Sequence, residues 1–173
     1  MRVLGVDPGT AVTGYGVVET TSGPYSRLVE CGILRTGARD PLAARLRIIY
    51  DGVAELIERH HPDIVAVEGI FLAHNVRSTV VLGHARGVIL LAAECAGVTV
   101  AEYSPASVKQ AVVGRGGAAK AQVGYMVAQL LHLAAPPKPT DAADGVAIAL
   151  THLLVGARLA RLPQPVRRTQ GAR

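Results

Sequence analysis

RVLGVDPGTAVTGYGVVE, residues 2–19, decides the fold. Arg2 to Asp7 is a short apolar run that ends in the turn DPGT, and VTGYGVVE resumes an apolar pattern directly after it, so the two segments predict strands joined by a glycine-marked turn. YSRLVECGILRT, residues 25–36, supplies a third strand, and three consecutive strands predict an antiparallel meander. After Pro41 the period changes. Leu42, Leu46, Ile49, Val53, Leu56 and Ile57 recur at helical spacing, and Pro62 marks the stop. DIVAVEG, residues 63–69, is the continuous apolar type expected of a strand covered on both faces.

A loop follows, and then a helix from about Ser78 to Ala96 with Gly97 as its stop. Its apolar surface is wide, taking in Val80, Val81, Ala85, Val88, Ile89 and Ala92, and suits contact with a second subunit. TVAEYS is the fifth strand, followed by a helical turn over Pro105 to Val112, a glycine-rich loop at 114–117 and a helix from about Ala118 to Leu133. Pro136, Pro137 and Pro139 break the chain. Thr140 is then a candidate N-cap for a last helix beginning DAADGVAIALTHLLV. This order predicts an α/β fold, a mixed five-stranded sheet flanked by helices. One domain over 1–157 is expected, with a basic, proline-interrupted and mobile tail at 158–173.

Half of the 173 residues are hydrophobic, enough for one core, yet no uninterrupted apolar run approaches the roughly 18 residues of a membrane span. Asp7 interrupts the N-terminus where a signal peptide needs an apolar region, so a soluble, cytoplasmic protein is expected. Cys31 and Cys95 lack CxxC spacing and are read as buried structural thiols. A formal net charge of +5 and a pI near 9.6 favour polyanionic partners. Of the 18 basic residues only Lys109, Lys120 and Lys138 are lysines. An ammonium is a compact point charge that arginine does not replace, which singles out Lys109 and Lys120.

Among 13 acidic residues, four stand out by position. Asp7 and Glu68 each close an apolar strand, and Asp141 and Asp144 share a helix face through i, i+3 spacing. Converging, they would form an oxygen-rich pocket for hard divalent cations such as Mg²⁺, and in a two-metal site one ion activates the attacking water while the other stabilises the leaving oxygen. Each also has a plainer reading: Asp7 as a turn former, Glu68 as a solvated strand end, Asp141 and Asp144 as helix-capping charges. HExxH, P-loop and GxSxG motifs are absent, and the six histidines form no ligand pattern. Asp7, Gly9 and Thr10 echo the D-x-G-T phosphate turn of actin-like ATPases, but that architecture needs two such domains, beyond the reach of 173 residues.

DPGTAVTGYGVVE, VEGIF, HARGV, VKQAVVGRGGAAKAQV and TDAADGVAIALTH, spread in order over residues 1 to about 152, together resemble the RuvC family of Holliday-junction resolvases. The resemblance implies a ribonuclease H-like fold, a homodimer, and symmetric nicking of opposed strands in four-way junction DNA. It puts Asp7, Glu68, Asp141 and Asp144 in the positions of the family's metal-binding catalytic acids, with two Mg²⁺ per site, or Mn²⁺. Lys109 and Lys120 match lysines near the scissile DNA. Phe71 matches an aromatic that stacks on unpaired bases, and Arg77 and Arg115 are further expected DNA contacts. The RuvA–RuvB branch-migration complex is the implied partner. VEGIF departs from the family in Gly69, where Gln is common, which bears on sequence preference at the cut. Two rivals are a ribonuclease H-like nuclease for another substrate, such as RNA or nicked DNA, and a noncatalytic junction-binding protein.

Overall fold

The structure, a computed structural model, describes residues 1–22, 25–69 and 76–160, with side-chain surroundings in the last segment confined to 78–156. Strands β1 (Arg2–Asp7), β2 (Val12–Thr20) and β3 (Ser26–Arg35) form the expected antiparallel meander, with Asp7 opposite Gly14 and Val12 opposite Arg35. Helix α1 (Leu42–His60) carries the chain across one face, and β4 (Ile64–Glu68) returns parallel to β1, Val6 pairing with Val67. Helix α2 (Val76–Cys95) precedes β5 (Thr99–Tyr103), which is parallel to β4. Helices α3 (Pro105–Val113), α4 (Lys120–Leu130) and α5 (Thr140–Ala160) complete the chain. The sheet order is β3-β2-β1-β4-β5.

Strand alternation divides the core in two. Val3 and Ala66 point to one face, where they pack with Val108 of α3, Val123 and Val127 of α4, and Val146 and Leu150 of α5. Leu4, Val6, Val65 and Val67 point to the other, against Ile49, Val53 and Leu56 of α1 and Ala85 and Ile89 of α2. Each fully buried Val, Leu or Ile side chain stabilises the fold by about 1.5–3 kcal/mol. β4 is covered on both faces, as its continuous apolar sequence predicts.

Helix ends follow local chemistry. His60 ends α1, and His61, at φ 44°, donates its N–H to the Ile57 carbonyl at 2.9 Å. Ser104 caps α3 by accepting the Ser107 N–H at 3.0 Å, with Pro105 as the first helical residue, and Gly114 closes that helix at φ 83°. Helix α4 is shorter than expected at both ends. Ala119 is its N-cap, with its N–H on Gln122 Oε1, and the left-handed backbone of His132, φ 54°, halts any extension. Thr140 is the first residue of α5 rather than its cap, and α5 runs to Ala160. Residues 161–173 of the expected tail lie outside the described residues.

Two further expectations change. Cys95 is exposed, because α2 turns Ala85, Ile89, Ala92 and Ala93 inward and leaves its last residue on the outer side; Cys31 is partly buried. Ser78–Cys95 is long and apolar enough, at mean hydropathy 1.3, to cross a membrane by length and composition alone. In this fold its inner face belongs to the core beneath α1 and the sheet.

Candidate active site

Asp7 and Glu68 are the last residues of neighbouring parallel strands, so both carboxyls leave the same end of the sheet side by side. Asp7 shares the strand face of Val3, the face under α5. What brings α5 close is glycine. A Cβ on Gly5 would strike the Gly145 carbonyl, one on Gly14 the Asp141 carbonyl, and one on Gly16 the backbone of Val146. Stripped of side chains there, β1 and β2 meet α5 backbone to backbone, and the first turns of the helix stand over the strand ends.

The carboxylate oxygens of Asp7, Asp141 and Asp144 consequently lie within 4.8 Å of one another. Glu68 joins the cluster through a hydrogen bond with Asp7. Lys120 Nζ donates to Asp144 Oδ2 at 2.7 Å. Asp7, Glu68, Asp144, Lys109 and Lys120 line one pocket of about 190 Å³, whose apolar wall includes Pro105, Val108 and Ile148. Five of the six proposed catalytic side chains thus share a pocket, and the sixth, Asp141, is tied to them through the three-carboxylate group.

The acids are short of positive charge. Burial, then the neighbouring charges of Glu68 and Asp144, push the Asp7 carboxyl up to about 7, against the opposing pull of Lys120. Glu68 is raised by burial and by Asp144, while Lys120, Asp7 and Lys109 work the other way. Lys120 is held above the ordinary lysine value, chiefly by its bond to Asp144.

A cation fits this donor set. Mg²⁺ takes oxygen ligands at about 2.0–2.1 Å, and three carboxylate oxygens within 4.8 Å of one another are close enough to converge on such an ion. All donors are carboxylate oxygens with no thiolate or imidazole among them, which suits a hard ion such as Mg²⁺ or Mn²⁺.

Behind Asp7 the turn is clamped in a way the sequence did not signal. Thr13 Oγ1 donates to the Gly9 carbonyl at 2.7 Å, Thr36 Oγ1 to the Thr10 carbonyl at 2.5 Å, and Arg45 Nε to the Thr10 carbonyl at 3.0 Å. Arg45 and Thr36 lie 35 and 26 residues from Thr10, beyond any local motif. A second unanticipated link is Tyr103, opposite Glu68 in the sheet, whose hydroxyl meets His152 Nδ1 at 2.8 Å. Gly69 donates its N–H to the Tyr103 carbonyl, and among the described residues a Cβ there would find only ordinary contact at 3.6 Å. Arg115 is exposed on the loop between α3 and α4 and is not among the pocket-lining residues. Phe71 lies outside the described residues; Arg77 belongs to α2, but its side chain also lies outside them.

A mixed sheet in the order β3-β2-β1-β4-β5, with an acid at the end of each of two central strands and two more on the covering helix, places the chain in the ribonuclease H-like class. The profile of the family described as crossover junction endodeoxyribonuclease RuvC matches residues 3–152. A relative of that name from Pelotomaculum thermopropionicum is 49% identical over 152 residues, covering 88% of this chain and 92% of its own. The solved Thermus thermophilus RuvC structure aligns with TM-score 0.84 at 40% identity, covering 92% of this chain and 97% of its own. T. thermophilus RuvC in complex with Holliday junction substrate aligns with TM-score 0.83 at 35% identity, covering 91% and 96%. The chain belongs to the RuvC family of crossover junction endodeoxyribonucleases.

Proposed function

We propose that the protein resolves four-way DNA junctions in recombination and repair by metal-dependent hydrolysis of opposed strands, with Asp7, Glu68, Asp141 and Asp144 as the ligands of two divalent cations. The observation that carries this reading is the convergence of three carboxylates from β1 and α5 within 4.8 Å, in a chain of this family. Bound there, Mg²⁺ or Mn²⁺ would supply an activated water and charge stabilisation at the leaving oxygen. Asp7, which neighbours both Glu68 and the α5 pair, would be a ligand in such a site. Lys109, at the pocket wall, meets a phosphate oxygen beside the scissile bond, and Lys120 does the same from α4. Phe71 stacks on an unpaired base near the junction centre, while Arg77 and Arg115 contact phosphates farther out.

A four-way junction with two-fold symmetry calls for two sites, and a homodimer supplies one to each strand. Helix α2 offers the surface: Val80 and Leu91 are 53% and 52% exposed, and Gly87 between them has open space around it. RuvA–RuvB is the partner assembly, and the cytoplasm, where chromosomal junctions arise, the place of action.

The deciding assay incubates purified protein with a synthetic four-way junction and a matched duplex, in Mg²⁺, Mn²⁺ or EDTA. Paired nicks on opposed junction strands that vanish in EDTA are expected. Equal cutting of both substrates would point to a general nuclease, and tight junction binding without cutting in either metal to a noncatalytic binder.

A further inference from the structure

We propose that the Lys120 ammonium is a resident counter-ion of the acidic cluster, held on Asp144 until a divalent cation displaces it. The proposal rests on the metal-dependent reading above. Lys120 opens α4 and reaches across to α5, its Nζ 2.7 Å from Asp144 Oδ2. Lys109 lines the same pocket but forms no ion pair with an acid among the described residues. One ammonium therefore answers directly to a cluster of four carboxyls.

The two cations compete. A dication about 2.1 Å from an Asp144 oxygen and an ammonium bonded to the same carboxylate would repel across a few ångströms. Leaving is easy for the lysine. Its side chain is 70% exposed against 21% for Asp144, and an ion pair with one partner in water holds weakly. Four methylenes let the ammonium swing outward from the first turn of α4 without moving the backbone. Released at the pocket mouth, it is free for a phosphate. Lys120 thus exchanges an acid for DNA as the metal arrives, and the metal-free site avoids four uncompensated acids.

The test is calorimetric titration of the full chain, without DNA, with Mn²⁺ and separately Mg²⁺, comparing wild type with Lys120→Met, Lys120→Gln and Lys109→Met. Both Lys120 variants should bind metal about three- to tenfold more tightly, the Lys109 variant less so, because only Lys120 competes for a ligand oxygen. In parallel, the ¹⁵N signal of the Lys120 ammonium should report the Asp144 bond in EDTA and lose that signature at saturating Mg²⁺. Unchanged or weaker metal affinity in both Lys120 variants, or a lysine signal indifferent to Mg²⁺, overturns the exchange while leaving the nuclease reading intact. If wild type and variants all bind neither metal, the metal-dependent reading itself falls, and this inference with it.

Discussion

Gly145 on α5 lies flat against Tyr15 on β2, so closely that a Cβ on Gly145 would stand 2.5 Å from the Tyr15 Cα. Backbone has no rotamer with which to yield, so the helix itself would have to lift. Asp144 precedes this glycine and Asp141 lies one turn before it, so any lift moves half of the acid cluster away from Asp7. Gly145→Ala should therefore destabilise the fold by about 2–4 kcal/mol in urea unfolding, the usual scale of overpacking or slightly above it. Mn²⁺ affinity should weaken in the fraction that remains folded. A variant as stable as wild type would mean that α5 has slack at this contact.

Asp7→Asn separates chemistry from binding. The amide keeps the shape of the side chain but removes the charge of an acid that neighbours Glu68, Asp141 and Asp144. Junction cutting should fall by roughly 100- to 1,000-fold or more, while junction affinity in a gel-shift assay stays within about threefold, because the basic surface is untouched. Cutting at the normal rate would remove Asp7 from the mechanism.

The outer stripe of α2 gives a prediction about assembly. Val80, His84, Gly87 and Leu91 follow one another at helical spacing on the exposed side, whereas Ala85, Ile89 and Ala92 face the core. Leu91→Glu should leave the helical circular dichroism intact and yield a monomer in analytical ultracentrifugation, with loss of paired nicking. A dimer that survives this charge would shift the interface to another face.

The order of strands and helices was legible because each element carries its own period, and β4 in particular advertised burial on both faces. The four acids were legible as candidates through their positions at strand ends and on one helix face. Their convergence was not, since it depends on Gly5, Gly14 and Gly16 letting α5 approach, and a glycine in a strand reads equally as a bulge or a turn. Long-range clamps were invisible for a different reason. Arg45 and Thr36 meet Thr10 only after α1 and β3 have packed, so no local pattern marks them. The end of α4 turned on one left-handed backbone at His132, a residue type that gives no such warning. Gly69 shows the opposite case: a departure conspicuous in sequence, where a Cβ meets only ordinary contact among the described residues, so that Gly69→Gln should leave the unfolding free energy within about 0.5 kcal/mol of wild type.

Acidity gives the last prediction. In the unfolded chain Asp7 titrates near 3.8, and in the metal-free fold it is pushed up to about 7 by burial and by Glu68 and Asp144. Between these values the folded state holds a proton that the unfolded state has lost. The contribution of Asp7 to stability is therefore fully present below about pH 4 and is lost as pH rises through 7, by an amount on the order of 2–4 kcal/mol. Glu68, also raised, acts in the same direction, whereas His152, lowered by burial, opposes it. The difference between wild type and Asp7→Asn isolates the Asp7 share. In EDTA the wild-type midpoint should fall between pH 5 and 8 more steeply than that of Asp7→Asn. Because a metal ligand must be ionised, Mg²⁺ should restore more stability at pH 8 than at pH 5.5, and calorimetry near pH 6 in buffers of different ionisation enthalpy should register about one proton released per Asp7 engaged. Parallel pH slopes for wild type and Asp7→Asn in EDTA would show that Asp7 is already ionised in the metal-free fold, and that the acids are less crowded than their geometry requires.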